Sequence, residues 1–595
     1  MTIDTLRADR VGSYGANDAH TRTLDTVARE GVRFEAAISP TPLTLPSHAS
    51  LMTALEPPAH QVRHNGIFRL GEDRPTLAER FRSAGYATAA FVGSVVLDRR
   101  FGLARGFDHY DDEMAGRVSS RVGFAERPAV QVVAAAERWL EAAPDRFFLW
   151  VHFYDPHADY APPPGFASAF ASRPYEGEIA YVDAELGRLL AAVESHWPAG
   201  RTMLAVTSDH GESLGEHGEA THSYTLYDAT QRVPLLLRGP GLPPGRVVGE
   251  VVRLADVGPT LLALARAEAF PDADGIDLRP VIDGAAAARP AYVESVATHL
   301  DYGWSPLFGV RTAAFKYIRA PRPELYDLRS DPAELRNVAA EHPREVARLE
   351  GLLAAQIARR ADVPGGSVAD LDDLLRRRLR SLGYVAPERA AAAIDWSTAA
   401  GPDPKDEIGL LALLSAAQKE ADSGRVSLAL ERLRRIENSG TAVAALRAAL
   451  AVDAGDYRLA ESDAREVLSG QPRRADLWLL LGRALAGQGR LDEADTALRS
   501  AIALDGDLPA AHLLRGRIRE RSGQPDPAER SYRRALAAAP GEPRLRLAAL
   551  LRPRGAGEEA EALLEAARRR HPRDPRLVRP LDGAAAGSGA SAAPR

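Results

Sequence analysis

Four short segments place carboxylate, imidazole or hydroxyl side chains directly after apolar stretches, at residues 2–9, 44–50, 152–157 and 207–212. In the last segment Asp209 and His210 are adjacent, so both side chains can turn toward one point where a strand ends. Oxygen and nitrogen ligands together suit Zn²⁺, Mn²⁺ or a similar ion, whereas oxygen alone suits Mg²⁺ or Ca²⁺. Asp4 follows the first apolar residues in the same way. Taken singly, each aspartate is also what a helix cap or a turn requires.

Thr44 stands in a proline-rich stretch, residues 40–46, that leads into a predicted helix beginning at Ser47. A hydroxyl at a helix N-terminus beside a divalent cation loses its proton more readily, because the metal charge and the helix dipole stabilise the anion. Thr44 is therefore a candidate nucleophile; the alternative is that it shapes the turn while Ser47 caps the helix. His157 and His222 could hold a second metal ion or bind the oxygens of a transferred group, although a single surface histidine usually does neither.

These side chains need a sheet to position them, and the chain up to about residue 360 alternates apolar runs with amphipathic stretches. Strands are predicted at residues 87–93, 147–155, 201–209 and 234–238, and helices include residues 76–84 and 178–194. The alternation predicts an α/β fold with a mostly parallel sheet covered by helices on both faces, and with ligands at the carboxyl ends of strands. Asp4 follows only three residues, so the first strand is expected to be cut short, with the rest of it and any export signal lying upstream.

A different pattern begins near residue 404. The glycines 455, 489 and 523 are spaced by 34 residues, and Gly424 extends the series at a slightly shorter spacing. Matching small and apolar residues follow each glycine at fixed intervals: Ala429, Ala460, Ala494 and Ala528, then Leu468, Ile502 and Leu536. A 34-residue period is typical of tetratricopeptide repeats; the alternative is a helical bundle with accidental spacing. We predict a catalytic domain at 1–360, a linker with a short helix at 361–403, an all-α repeat solenoid at 404–580 and a disordered tail at 581–595.

Composition excludes several classes. The net charge of -6, spread along 595 residues, gives no reason to expect nucleic acid as the main partner. The absence of cysteine excludes thiolate metal sites and a cysteine nucleophile. No run of eighteen apolar residues and no signal peptide is present, so no membrane segment is predicted in the given chain. The compartment stays open, and a periplasmic or membrane-associated location would follow if an upstream signal is missing.

Residues 1–360 resemble the sulfatase family of the alkaline-phosphatase superfamily, through the four segments above and through residues 23–34, 232–236 and 317–328. The resemblance implies an α/β core with a metal at the strand ends. It assigns the metal to Asp4, Asp209, His210 and Thr44, with Thr44 also the nucleophile. Asn65 corresponds to a residue that contacts the oxygens of the transferred group, and His157 and His222 to a histidine and a lysine against the ester. A possible second metal site comprises Asp155, His157 and His222.

The departures from the family bear on the substrate. Sulfatases carry Cys or Ser where Thr44 stands and convert it to formylglycine, which the extra methyl group of threonine prevents. His48 replaces an arginine, Thr5 a second carboxylate ligand, and His222 the lysine. In having a threonine at this position the chain is similar to nucleotide pyrophosphatases/phosphodiesterases and phosphoethanolamine transferases of the same superfamily, which use a threonine nucleophile.

We therefore expect a divalent metal, with Zn²⁺ or Mn²⁺ favoured and Ca²⁺ or Mg²⁺ as alternatives, and cleavage of a phosphate-type or sulfate ester through Thr44. We also expect a protein partner in the groove of the repeats. The alternatives are a catalytically degenerate scaffold that acts through its repeats and a phosphoethanolamine-type transferase.

Overall fold

The structure is a computed structural model that describes residues 1–114, 118–119, 124–125, 127–287, 289–359, 367–368, 400–436, 440–472, 474–504, 506, 508–536 and 542–570. The chain divides into two compact units, Met1–Ser423 and Gly424–Arg595. The predicted tail and the helix expected within the linker lie outside the described residues. The domain boundaries at residues 360, 403 and 580 stay predictions.

The strands of the first unit include eight that form one large sheet. In chain order they are β1 Thr2–Ile3, β2 Val32–Ile38, β3 Phe68–Arg69, β4 Ala87–Val92, β5 His109–Asp111, β6 Val118–Ser119, β7 Phe124–Ala125, β8 Phe147–Phe153, β9 Leu204–Ser208, β10 Arg232–Arg238, β11 Arg246–Arg253, β12 Ala291–Ser295, β13 Leu307–Arg311, β14 Phe315–Arg319, β15 Glu324–Asp327 and β16 Ser367–Val368. The large sheet has the order β11-β2-β10-β9-β1-β8-β4-β5. All its pairs are parallel except those of β10, which runs antiparallel to β2 and β9.

Helices cover both faces of this sheet. The helices of the first unit are α1 Arg22–Glu30, α2 Thr44–Thr53, α3 Pro57–His60, α4 Leu77–Ser83, α5 Ala129–Leu140, α6 Pro164–Ala169, α7 Pro174–His196, α8 Asp228–Gln231, α9 Val257–Leu264, α10 Arg279–Ile282, α11 Ala297–Tyr302, α12 Pro343–Ala358 and α13 Pro404–Asp422. Leu235 and Leu237 of β10 belong to the core on one face, and Leu236 belongs to the core on the other. Such strands read as continuous apolar runs because both faces are buried. The predicted α/β fold with helices on both faces of a mostly parallel sheet is confirmed.

Helix α2 begins three residues earlier than the sequence predicted. Its first residue is Thr44 rather than Ser47, and Leu43 before it is extended. Pro46 therefore lies in the first turn, where a missing backbone N–H costs nothing because the first four N–H groups of a helix have no intrahelical acceptor. The consequence is that the Thr44 side chain stands at the helix N-terminus itself.

A second, antiparallel sheet of β12 to β15 is tied to helix α8 by buried charges. Lys316 is fully buried, and its Nζ atom lies 2.5 Å from Asp228 Oδ1 and 2.8 Å from Glu334 Oε1. Arg311 lies 3.2 Å from the other oxygen of Asp228. Burial alone would raise the pKa of Asp228, but the Lys316 and Arg311 cations hold it well below its usual value. Helix α8 in turn accepts hydrogen bonds from the residues that follow β9, through the bond from the Gly211 N–H to the Thr230 carbonyl.

Lys316→Met should destabilise the first unit by about 3–5 kcal/mol, because it leaves the buried Glu334 carboxylate without its cation and leaves Asp228 with Arg311 alone. Denaturant unfolding measures the change. Arg29→Met, on the exposed side of α1, is the control and should change the free energy of unfolding by less than about 0.5 kcal/mol. Equal stability of Lys316→Met and the wild type would show that the cluster is not needed to hold α8.

The described part of the second unit consists of helices and turns. The helices are Val426–Arg434, Gly440–Ala454, Tyr457–Gly470, Ala475–Gly487, Leu491–Leu504, Pro509–Arg521, Pro525–Ala535, Glu542–Leu551 and Gly557–Arg570. Gly455, Gly489 and Gly523 each have φ between +68° and +80°, as the tight turn between paired helices requires. The alanines that follow them are fully buried where helices cross. The predicted all-α second unit is confirmed. Within the described residues, no helix combines the length and apolar character needed to cross a membrane.

The helix crossings give a second stability prediction. A Cβ atom at Gly516 would lie 2.3 Å from the ring of Tyr532, whereas one at Gly470 meets nothing within 4 Å. Gly516→Ala should therefore cost about 1–3 kcal/mol of overpacking in the second unit. Gly470→Ala, the matched control, should be neutral or slightly stabilising. Thermal unfolding of the two variants measures the contrast, and equal melting temperatures would contradict the close packing.

Candidate active site

Three predicted ligands meet at the carboxyl ends of β1 and β9. Asp4 follows β1, Asp209 and His210 follow β9, and the two strands are parallel neighbours with Ile3 opposite Ser208. One ligand atom from each of the three side chains lies within 4.8 Å of the others. His210 Nε2 is 3.6 Å from Asp4 Oδ1 and 3.7 Å from Asp209 Oδ2, and all three side chains are fully buried. The parallel pairing thus brings together residues that are some 200 positions apart in sequence.

The donors of this group fit a divalent cation. Both oxygens of Asp4 and the Oδ2 atom of Asp209 are buried without a hydrogen-bond partner. His210 Nδ1 lies 3.0 Å from the Gly211 carbonyl, which can only accept, so Nδ1 carries the hydrogen and Nε2 presents a lone pair to the carboxylates. Burial raises the pKa of Asp4 well above its usual value, and the Asp209 charge adds to the shift. A cation in this position would satisfy every unpaired atom of the group.

Thr44 borders the group from the N-terminus of α2. Its side chain is almost fully buried, and Oγ1 lies 3.4 Å from His210 Nε2. The next residue, Leu45, donates its backbone N–H to Asn65 Oδ1 at 2.8 Å. The other end of the amide, Asn65 Nδ2, is buried and has no acceptor. Asn65 therefore holds a free N–H donor beside the helix N-terminus that bears Thr44.

His157 and His222 form a pair next to His210. The His222 ring centre is 4.5 Å from that of His210 and 5.0 Å from that of His157. His222 Nδ1 lies 3.0 Å from Glu212 Oε1, and His157 Nδ1 lies 2.7 Å from the Ala158 carbonyl. Burial lowers the pKa of His222 to about 4, and burial together with His222 lowers that of His157 to about 3. Both rings are thus neutral at pH 7 and carry their lone pairs on Nε2.

Asp155, predicted for a second metal site, has a different contact. Its Oδ2 atom accepts a hydrogen bond from the Ala129 N–H, at 2.8 Å, at the first residue of α5. Among the described residues, the group of Asp4, Asp209 and His210 is the single set of three or more such side chains close enough to share an ion. Asp155 therefore caps a helix, and the structure does not bring it together with His157 and His222 as ligands.

Two sets of contacts around the predicted site were not predicted from the sequence, one made by Glu212 and one made by the Thr2 hydroxyl. Glu212 orients His222, and its second oxygen accepts a hydrogen bond from the Tyr160 hydroxyl at 2.9 Å. Behind Asp4, the Thr2 hydroxyl lies within 3.1 Å of ring nitrogens of Trp150, His48 and His152. Glu212 stands two residues after His210, which was a usable signal. His152 alternates with apolar residues inside a strand, where a histidine is read as part of the core.

Comparison with known proteins gives family matches for both units. Residues 1–267 match the Sulfatase family model, and residues 215–361 match the model described as N-sulphoglucosamine sulphohydrolase, C-terminal. Residues 451–518 match a tetratricopeptide repeat model. The chain thus contains a sulfatase-family domain with the alkaline-phosphatase-like fold, and a tetratricopeptide region, as the sequence predicted.

Among curated proteins, Choline-sulfatase of Rhizobium meliloti (strain 1021) is 36% identical over 29% of this chain and 33% of its own length. Arylsulfatase K of Xenopus laevis is 30% identical over 30% of this chain and 35% of its own length. The chain spans about a third of the length of these relatives. Delta 4,5-hexuronate-2-O-sulfatase of Bacteroides thetaiotaomicron is 26% identical over 66% of this chain and 94% of its own length.

Among solved structures, the phosphonate monoester hydrolase of Agrobacterium radiobacter has a TM-score of 0.53, with 22% identity, over 60% of this chain and 95% of its own. A putative sulfatase from Bacteroides thetaiotaomicron also has a TM-score of 0.53, with 24% identity, over 63% and 95% of the two chains. At these identities the likeness is one of fold.

Proposed function

Since residues 1–267 form a sulfatase-family domain, we propose that the chain is a metal-dependent hydrolase of a phosphate-type or sulfate ester, with Thr44 as its nucleophile. One observation carries the proposal: the Thr44 hydroxyl lies 3.4 Å from His210 Nε2, at the edge of a buried group in which both oxygens of Asp4 and the Oδ2 atom of Asp209 have no hydrogen-bond partner. A structural role for Thr44 does not require such unpaired carboxylate oxygens beside it, because uncompensated buried charge is costly.

Asp4, Asp209, His210 and Thr44 are the residues that would hold the ion. Two carboxylates, an imidazole and a hydroxyl form a mixed oxygen and nitrogen donor set, which favours Zn²⁺ or Mn²⁺ over Ca²⁺ or Mg²⁺. A divalent ion bound there would lower the pKa of a neighbouring hydroxyl and stabilise negative charge on the oxygens of the transferred group.

The reaction proceeds in two displacements. Thr44 Oγ1 attacks phosphorus (or sulfur) in line, and the bond to the leaving alcohol breaks as the threonine ester forms. The hydroxyl proton passes to the Nε2 lone pair of His222 or His157 and from there to the leaving oxygen. Water then attacks the threonine ester, releases the acid and restores Thr44. Neither histidine can supply that proton at first, because its single hydrogen is held on Nδ1 by Glu212 or by the Ala158 carbonyl.

We expect Thr44 to attack phosphorus rather than sulfur. Formylglycine is an aldehyde made by oxidising a primary side-chain carbon, whereas the Cβ atom of Thr44 also bears a methyl group and can yield at most a ketone. Thr44 must therefore attack as an alkoxide and become esterified itself. Enzymes that cleave phosphate esters through a hydroxyl nucleophile work in this way. Sulfate esters stay the second candidate, because curated relatives carry the names of sulfatases.

Initial rates on p-nitrophenyl phosphate, bis-p-nitrophenyl phosphate, p-nitrophenyl phenylphosphonate and p-nitrophenyl sulfate, each with Zn²⁺, Mn²⁺, Mg²⁺ or Ca²⁺, test this proposal. We expect a phosphorus ester to be preferred and Zn²⁺ or Mn²⁺ to give the highest rate. Preference for the sulfate would refute the argument from the Thr44 methyl group. If the protein hydrolyses none of these esters and binds no metal, the result would favour the alternative of a catalytically degenerate scaffold that acts through its repeats.

Asn65→Ala should lower kcat by about 10²–10³-fold, because the Nδ2 donor acts on charge that develops in the transition state. The same substitution also frees the Leu45 N–H, so circular dichroism must confirm that α2 is intact. Asn65→Asp is the informative companion: it keeps the acceptor for Leu45 but replaces the donor with a carboxylate oxygen that repels the transferred group, so its kcat should fall at least as far as that of Asn65→Ala. If Asn65→Asp retains full kcat, the donor has no part in catalysis.

For the second unit we propose binding of a protein partner in the groove of its stacked helix pairs. The repeat match at residues 451–518 supports this, since such arrays present a continuous concave surface.

A further inference from the structure

Asn65, the predicted donor to the transferred group, lies on a loop without regular secondary structure. The loop, residues 61–67, connects α3 to β3. Two of its residues have φ in the left-handed region, Gln61 at +62° and Gly66 at +75°. Such a backbone keeps one geometry only where the surrounding structure holds it. The orientation of the Asn65 side chain therefore depends on contacts made by other parts of the first unit.

Those contacts come from β12 and α11, 231 and 237 residues away along the chain. Arg63 Nε donates a hydrogen bond to Glu294 Oε1 at 2.9 Å, and Arg63 Nη2 contacts the other oxygen of that carboxylate. His64 Nε2 lies 3.3 Å from Asp301 Oδ2. All four of these residues are buried. The two residues that precede Asn65 are thus each held by a carboxylate.

His64 transmits its constraint to Asn65. Its Nδ1 atom lies 2.7 Å from the Asn65 carbonyl oxygen, which can only accept, so Nδ1 donates the hydrogen bond. The ring is therefore fixed at both nitrogens, by the Asn65 backbone on one side and by Asp301 on the other. The Asn65 side chain in turn accepts the Leu45 N–H at 2.8 Å. A chain of contacts thus runs from Asp301 to the N-terminus of α2, which bears Thr44.

We propose that Asp301 is a positioning residue: through His64 it fixes Asn65 in the orientation in which the Nδ2 donor serves the reaction. The inference rests on the proposed function for the role of that donor. A preorganised donor stabilises the transition state only when it is correctly placed, and small displacements are costly. Loss of the contact between Asp301 and His64 should therefore lower kcat and leave KM nearly unchanged.

Asp301→Leu removes the contact with a side chain of similar size that cannot form a hydrogen bond. It should lower kcat on the preferred ester by about 10–100-fold. Asp301→Asn is the conservative rescue, because its amide can either accept from or donate to His64 Nε2, and it should keep kcat within about threefold of the wild type. In an Asn65→Ala background, Asp301→Leu should cost no more than about twofold, because the donor that it positions is already gone.

Tyr224→Phe is the matched control. The Tyr224 hydroxyl donates a hydrogen bond to Asp301 Oδ2 at 3.4 Å, so this variant removes another contact of the same carboxylate and leaves His64 in place. It should keep kcat within about threefold of the wild type. His64→Phe retains a ring and loses both of its polar contacts, and it should reproduce the loss of kcat if Asp301→Leu does not fold.

Hydrogen exchange at Leu45 reads the position of Asn65 without any turnover. The Leu45 N–H lies in the first turn of α2, where no carbonyl of the helix can accept it, so its protection reports the Asn65 Oδ1 acceptor. Mass spectrometry with electron-transfer fragmentation resolves this amide. We expect exchange at least about 10-fold faster in Asp301→Leu than in the wild type. Asp301→Asn and Tyr224→Phe should exchange as the wild type does.

Unchanged kcat in Asp301→Leu would overturn the inference, whether or not the exchange at Leu45 becomes faster. Losses of kcat that multiply fully when Asp301→Leu is combined with Asn65→Ala would overturn it too, because Asp301 would then act independently of the donor. A wild type that hydrolyses no ester would refute the proposed function instead. Exchange at Leu45 would in that case still decide whether Asp301 positions Asn65.

Discussion

Thr44→Ala should reduce kcat by roughly 10⁴-fold or more while thermal stability stays close to that of the wild type and the ion stays bound through Asp4, Asp209 and His210. Loss of a nucleophile removes the covalent route altogether, and such losses are among the largest that a single substitution causes. The Thr44 hydroxyl contacts His210 Nε2, at 3.4 Å, and the Asp4 carboxylate; both contacts lie within the candidate site, so the removal of the hydroxyl should cost little in folding. Initial rates on the preferred phosphorus ester and elemental analysis of the purified variant measure the two quantities.

Two variants serve as controls for Thr44→Ala. Thr44→Ser keeps the hydroxyl and should retain measurable turnover. Ser47→Ala tests the nearest alternative nucleophile, and it should remain active because the Ser47 hydroxyl is occupied by a 2.8 Å hydrogen bond to the Thr41 carbonyl. An active Thr44→Ala together with an inactive Ser47→Ala would transfer the nucleophile to Ser47.

Asp4→Asn should have opposite effects on stability in chelator and in metal. In chelator the variant should be more stable than the wild type by about 1–3 kcal/mol, because burial raises the pKa of Asp4 and folding must therefore either bury its charge or bind a proton. With the ion at about a thousand times its dissociation constant, the wild type should gain about 4 kcal/mol and the variant almost nothing. Denaturant unfolding of the first unit in each condition measures both differences.

Asp155→Asn is the comparison for that experiment, since Asp155 is a carboxylate of the same region whose oxygen caps α5. It should change the stability by less than about 0.5 kcal/mol in either condition, because the amide oxygen still accepts the hydrogen bond from the Ala129 N–H, and it should keep the full response to metal. A full metal response in Asp4→Asn would exclude Asp4 as a ligand. If Asp4→Asn is less stable than the wild type in chelator, the claim that the Asp4 carboxyl lacks a stabilising partner without metal is wrong.

The resemblance to the sulfatase family predicted Asp4, Asp209 and His210 as one group. The structure gives the physical reason, since β1 and β9 are parallel neighbours and the carboxyl ends of such strands meet at one edge of the sheet. The antiparallel direction of β10 could not be predicted from the sequence, since a buried strand rich in leucine has the same pattern whether it runs parallel or antiparallel to its neighbours. The start of α2 was placed too late because Pro46 was read as part of a turn.

The supporting contacts were harder still to predict. Glu212 accepts its second hydrogen bond from Tyr160, which lies 52 residues away on a separate loop. No local sequence pattern predicts that contact. His152 looked like an interior strand residue, and its contacts with Thr2 and Asp4 become visible only in three dimensions.

Peptide mapping by mass spectrometry after rapid acid quench, during turnover of the preferred phosphorus ester, tests the central claim most directly. A phosphoryl or phosphonyl group on Thr44, present with metal and absent with chelator, is the result we predict. A rapid burst of p-nitrophenol with no modified Thr44, or with the group on Ser47 or a histidine, would contradict the threonine ester and the function built on it.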